Sequence, residues 1–109
     1  MTKVFGIHPF MLKQGVNPEA FEQFVREAVP NLPILNGVTL SILKGDRGDR
    51  ARQYLMLIET ESVEIRDRYW PSPNTLSDEA KRLLEALGKW GAFTDGPGSP
   101  VSTDYVVIA

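Results

Sequence analysis

Residues 37–60 read GVTLSILKGDRGDRARQYLMLIET, and the fold turns on them. Two runs rich in Val, Ile, Leu, Tyr and Met, at 37–43 and 52–60, flank KGDRGDRA at 44–51. Apolar runs around a short Gly- and Asp-rich segment make a β-hairpin, because Gly and Asp tolerate turn geometry that branched side chains resist. The loop holds the tripeptide Arg47-Gly48-Asp49 and two glycines that invite a phosphate-loop reading. A phosphate cradle needs a Gly-rich turn opening into a helix N-terminus. This loop runs into a strand and carries Asp46 and Asp49, so a plain hairpin is expected.

Helical segments lie on both sides of the hairpin. In GVNPEAFEQFVREAVPNL, Asn17 is placed to cap a helix and Pro18 to occupy its first position. Phe21, Phe24, Val25, Ala28, Val29 and Leu32 then recur at three- and four-residue spacing, while Glu19, Glu22, Gln23, Arg26 and Glu27 take the other side. After the hairpin, Ser62 caps VEIRDRY, WPSPN interrupts, and Thr75 or Ser77 caps a second piece with Ala80, Leu83, Leu84 and Leu87 on one face. Residues 4–12 and the terminal TDYVVIA read as strands, and GPGSP at 96–100 as a loop. The order is β-α-β-β-α-β, the split βαβ plan of ferredoxin-like α+β domains with a four-stranded antiparallel sheet.

The chain has 109 residues, 42% of them hydrophobic and 24% charged, which suits one soluble domain over 1–109. A net charge of −2 with interspersed signs gives no basic stripe, so no nucleic-acid partner is expected. No apolar run reaches the length of a membrane span, and MTKVFGIHPF lacks the pattern of a cleaved leader, so no membrane partner and a cytoplasmic location are expected. With no cysteine and one histidine, neither a metal nor another cofactor is expected.

Face assignment rests on register. With Lys44 set opposite Ala51, Val38, Leu40, Ile42, Leu55 and Leu57 would face the helices, and Thr39, Ser41, Arg52, Tyr54 and Met56 the opposite side. Strand one divides likewise, with Phe5, Ile7 and Met11 toward the helices and Gly6, His8, Phe10 and Leu12 away from them. A one-residue slip would exchange every assignment. Pro9, in what should be a central strand, suggests a bulge or interrupted pairing. Runs such as YLMLI and YVVI are apolar at successive positions, so both sheet faces need cover, and two helices supply only one.

The strand leading into KQGVNPEAFEQFV, ETESVEIRDRYWP after the third strand, and the terminal DYVVI together resemble the dimeric α/β-barrel superfamily, most nearly the stress-responsive A/B-barrel proteins. The resemblance implies a homodimer in which two sheets close face to face into a dimeric α/β barrel. Several members carry a histidine early in strand one and a His-Pro-x-His-like stretch before the second long helix. Here His8 stands one position out of register, and Trp70 occupies the place before Pro71.

The functional expectation is a homodimeric barrel that binds a small apolar or aromatic organic molecule, as a cofactor-independent isomerase, cyclase or monooxygenase-like enzyme. His8, which reads equally as a packed structural side chain, or Tyr54 would relay a proton, and Arg52 would stabilise a developing negative charge or a carboxylate. Gly6, Phe10, Thr39, Ser41 and Met56 would line the barrel, with Tyr69 and Trp70 either an aromatic lip at its mouth or, the stronger reading, aromatic core packing. Glu59, Glu61 and Asp104, at strand ends, read as solvated acids, and Trp90 and Phe93 as core. The alternative is a non-catalytic assembly domain whose barrel is packed solid by Phe10, Leu12, Tyr54 and Met56.

Overall fold

A computed structural model describes residues 2–73, 75–94 and 102–109; the expected GPGSP loop lies outside these. The elements are β1 (Val4–Phe10), α1 (Pro18–Ala28), a single 3-10 turn (Val29–Asn31), β2 (Val38–Lys44), β3 (Tyr54–Thr60), α2 (Val63–Tyr69), α3 (Asp78–Ala86), α4 (Trp90–Phe93) and β4 (Thr103–Val106). They form a four-stranded antiparallel sheet in the order β2-β3-β1-β4, the ferredoxin-like arrangement.

The helices begin where side-chain oxygens can satisfy free backbone N–H groups. Asn17 Oδ1 accepts from Glu19 N at 2.9 Å, Ser62 Oγ from Ile65 N at 3.2 Å, and Ser77 Oγ from Ala80 N at 3.1 Å. Of the two candidate caps for α3, Ser77 is the one used. The buried face of α1 is Phe21 and Val25, and that of α3 is Ala80 and Leu83. Leu84, expected on the same face, is 39% exposed.

The hairpin register departs from expectation. Lys44 lies opposite Tyr54, not Ala51, and β3 starts at Tyr54, leaving Arg52 in the loop. Arg52 N donates to Gly45 O at 2.8 Å and Gly45 N donates to Gln53 O at 2.7 Å, so two residues of one strand oppose one of the other. Arg52 takes φ 69°, the only positive φ at a non-glycine among the described residues. This is a bulge with its first residue in the left-handed region, and the register it sets is an odd three residues from the expected one. Because side chains alternate, an odd shift exchanges the faces.

Val38, Leu40, Ile42, Tyr54, Met56 and Thr60 therefore face the helices, as do Val4, Gly6, His8 and Phe10, whose partners are Thr60, Ile58, Met56 and Tyr54. His8, Tyr54, Met56 and Phe10 do not point toward a barrel interior. The open face carries Phe5, Ile7, Pro9, Leu43, Leu55, Leu57 and Tyr105, with Thr39, Ser41 and Glu59 among them. Pro9 makes no bulge: pairing with β3 runs unbroken from Val4↔Thr60 to Phe10↔Tyr54, and the β4 ladder ends at Ile7↔Thr103, short of Pro9.

Two clusters fill much of the space between sheet and helices. Phe21, Val25 and Tyr54, joined by Phe10, Trp90 and Phe93, pack at the hairpin end. Leu35, Tyr69, Ala80 and Leu83, joined by Val38, Leu40 and Ile65, pack under α2 and α3. No helix among the described residues is long and apolar enough to cross a membrane.

Candidate functional site

Beside the second cluster, over β1 and β4, the layer is hollow. A cavity of about 600 Å³ opens between the sheet and the α2 end, with Val4, Gly6 and His8 from β1, Ile58 and Thr60 from β3, Asp104 from β4, and Arg66, Asp67 and Trp70 opposite. Strand alternation explains the β1 set, since every second residue meets the same face. The breaks after α2 are also sequence-driven, because Pro71 and Pro73 cannot continue a helix.

Gly6 makes the close packing possible. A Cβ there would stand 2.9 Å from His8 Nε2 and 3.1 Å from Asp104 Oδ1, so glycine lets the imidazole and the carboxylate settle onto the sheet. Burial holds the His8 pKa below its ordinary value, and the negative Asp104 opposes that only in part. His8 is thus uncharged at neutral pH and keeps one ring nitrogen as a proton acceptor.

Arg66 spans the cavity mouth. Its Nη1 donates to Asp104 Oδ2 at 2.7 Å and its Nε to Asp67 Oδ1 at 2.7 Å, tying α2 to β4. Asp67, and after it Asp104, raise the guanidinium pKa further. Thr60 is 2% exposed, lines the cavity, and its Oγ1 has no hydrogen-bond partner. A buried hydroxyl left unpaired costs about 1–3 kcal/mol.

The expected site residues fall into separate places. Gly6, His8 and Trp70 meet at this cavity. Arg52, Tyr54 and Phe10 line a second, wider hollow of about 680 Å³ between the hairpin and the start of α1. There the Tyr54 hydroxyl donates to Glu22 Oε2 at 2.6 Å, and Lys44 Nζ reaches the same oxygen at 2.8 Å. Burial first, then the Glu22 carboxylate, pushes the Tyr54 pKa up to about 12, while Lys44 and Tyr54 hold Glu22 below the usual carboxylate range. A phenol so committed is a poor proton relay at neutral pH. Thr39 and Ser41 lie on the open face, Met56 is buried against the helices, and Tyr69 is core, its hydroxyl 3.5 Å from Asn36 O.

The sequence pattern does not mark Thr60, Arg66 or Asp104 for this site. Asp104 had a signal, since it alternates with Tyr105 on a strand that pairs with β1, but a strand-end acid reads as solvated until the register brings it beside Gly6. Arg66 had none beyond its charge.

No protein-family model matches the chain, and no curated protein matches it in sequence. Among solved structures it is similar to a DABB family protein with a ferredoxin-like fold from Mesorhizobium loti, at 16% identity and TM-score 0.63, with 100% of each chain covered. It is also similar to a dimeric protein of unknown function with a ferredoxin-like fold from Bacteroides fragilis, at 13% identity and TM-score 0.57, with 94% of each chain covered. The ferredoxin-like fold expected from the sequence is thereby shown.

Proposed function

We propose that the chain is a homodimer, closed through the open faces of two sheets, in which each protomer binds a small organic molecule in the cavity between its own sheet and α2. The observation that carries ligand binding is the cavity itself, a hollow with an uncharged imidazole and the Asp104 carboxylate over Gly6. Dimerisation is supported by the apolar open face, on which Leu43 is 42% and Tyr105 58% exposed, and by the similarity to a structure described as dimeric.

His8 is the proton acceptor in this reading. An uncharged imidazole in a partly desolvated cavity suits removal of a proton from a hydroxyl or from a carbon next to a carbonyl, the step shared by cofactor-independent isomerisation, cyclisation and oxygenation. Tyr54 and Arg52 have no part in it, since they line the other hollow.

Light scattering tests the assembly: a mass near twice 12.2 kDa is expected, and a stable monomer at micromolar concentration overturns the dimer. Native mass spectrometry of the freshly purified protein, with His8→Phe beside it, tests the site. A retained small molecule that disappears in the variant supports it. A protein that carries nothing and binds no aromatic probe favours a purely structural assembly domain.

A further inference from the structure

We propose that this cavity selects an uncharged aromatic hydroxy compound, which donates its hydrogen bond toward Asp104 and His8, and that it turns away aromatic carboxylates. The inference rests on the cavity being the ligand site and goes on to name the ligand's class.

An arginine at a cavity mouth usually reads as an anion receptor. Here its charge is already matched by two carboxylates, with Nε on Asp67 Oδ1 and Nη1 on Asp104 Oδ2, each at 2.7 Å, and among the described residues only Nη2 is without such a contact. Among the described charged side chains that line the cavity there is one cation, Arg66, against two carboxylates, Asp67 and Asp104. A ligand carboxylate would have to leave water, meet a wall with a net negative charge and compete for a guanidinium held at both ends.

The polar atoms left open point the same way. Asp104 Oδ2 is taken by Arg66, but Oδ1 crowds the same spot over Gly6 as His8 Nε2, at 3.1 and 2.9 Å from where a Cβ would stand. A carboxylate oxygen can only accept, so the group complementary to Asp104 Oδ1 is a donor, and an uncharged imidazole keeps one nitrogen able to accept. A hydroxyl fits and is the group whose proton His8 could take. Trp70 and Ile58 supply apolar wall for a flat ring.

The test is equilibrium binding of 2-naphthol and 2-naphthoate, two flat probes of the same ring system, to the intact protein at neutral pH, read by ligand-observed NMR. 2-Naphthol should bind at least about tenfold more tightly. Asp104→Asn removes one negative charge and frees Arg66 Nη1, so the preference should shrink by about tenfold or reverse. Asp67→Asn, at a side chain 57% exposed, should shift it the same way by less and serves if Asp104→Asn fails to fold. Tighter binding of 2-naphthoate by the unaltered protein, or selectivity that neither variant moves, overturns the proposed ligand class while leaving the cavity a ligand site. Binding of neither probe by the unaltered protein overturns the cavity reading and the ligand class together.

Discussion

The two ends of the helix-facing layer are built on opposite plans. At the hairpin end, Phe21 is fully buried and its ring centroid lies 5.2 Å from Tyr54, 5.5 Å from Trp90, 5.7 Å from Phe10 and 5.8 Å from Phe93. Over β1 and β4 the same layer is a cavity edged by His8, Thr60 and the Arg66–Asp104 pair. At the hairpin end rings in edge and stacked contact pack around Phe21, and the second hollow lies to one side of them, between the hairpin and the start of α1; among the described residues the other end has no such ring cluster and keeps a buried hydroxyl unsatisfied beside its cavity. The difference shows where aromatic packing holds the fold and where polar side chains edge open volume instead.

The sharpest way to break that contrast is at its packed end. Phe21→Ala removes the ring that four other rings touch and should cost about 3–5 kcal/mol in urea unfolding. A loss near 1 kcal/mol would mean that the hairpin end is no better packed than the cavity end. At the hollow end the sign should change. Thr60→Val keeps shape and removes the unpaired hydroxyl, so the ligand-free protein should gain about 1 kcal/mol. A loss of stability would show that the hydroxyl has a partner, and the two ends would then differ less than described.

The pH dependence is smaller and has a definite direction. The folded state lowers the His8 pKa, so below about pH 6.5 the unfolded chain binds the extra proton more readily. The contribution of His8 to stability is complete above that pH and falls away as the solution is acidified through the folded value. Melting curves across this window should show the loss, and His8→Phe should remove its part of the slope. The smallest effect belongs to the loop between β2 and β3. Arg47→Ala with Asp49→Ala, both exposed, should change stability by less than about 0.5 kcal/mol.

Local chemistry was legible along the chain because its signals are local. Asn17 with Pro18, Ser62 and Ser77 mark helix starts by the hydrogen bonds they make, and the Phe21–Val25 spacing marks the buried stripe. The β-α-β-β-α-β order follows from these. Which face of the sheet met the helices was not legible, because it depends on one residue, Arg52, taking a left-handed conformation that its type does not announce. That parity carried the candidate site with it. His8, Gly6 and Trp70 came together, Tyr54 and Arg52 went to another hollow, and Asp104 arrived from a strand distant in sequence.

The bulge at Arg52 also governs how this protein tolerates changes in length. Residues added between Gly45 and Arg52 lengthen an exposed loop at little entropic cost and leave both bonds that close it in place. Deleting Arg52 itself removes the extra residue that sets the pairing. The chain must then either recreate the left-handed turn at a neighbour or slip β3 by one position, which would turn Tyr54, Met56 and Thr60 outward and bring Leu55 and Leu57 inward. Insertions and deletions a single residue apart in this loop should therefore fall into two classes, silent ones and ones that invert the sheet.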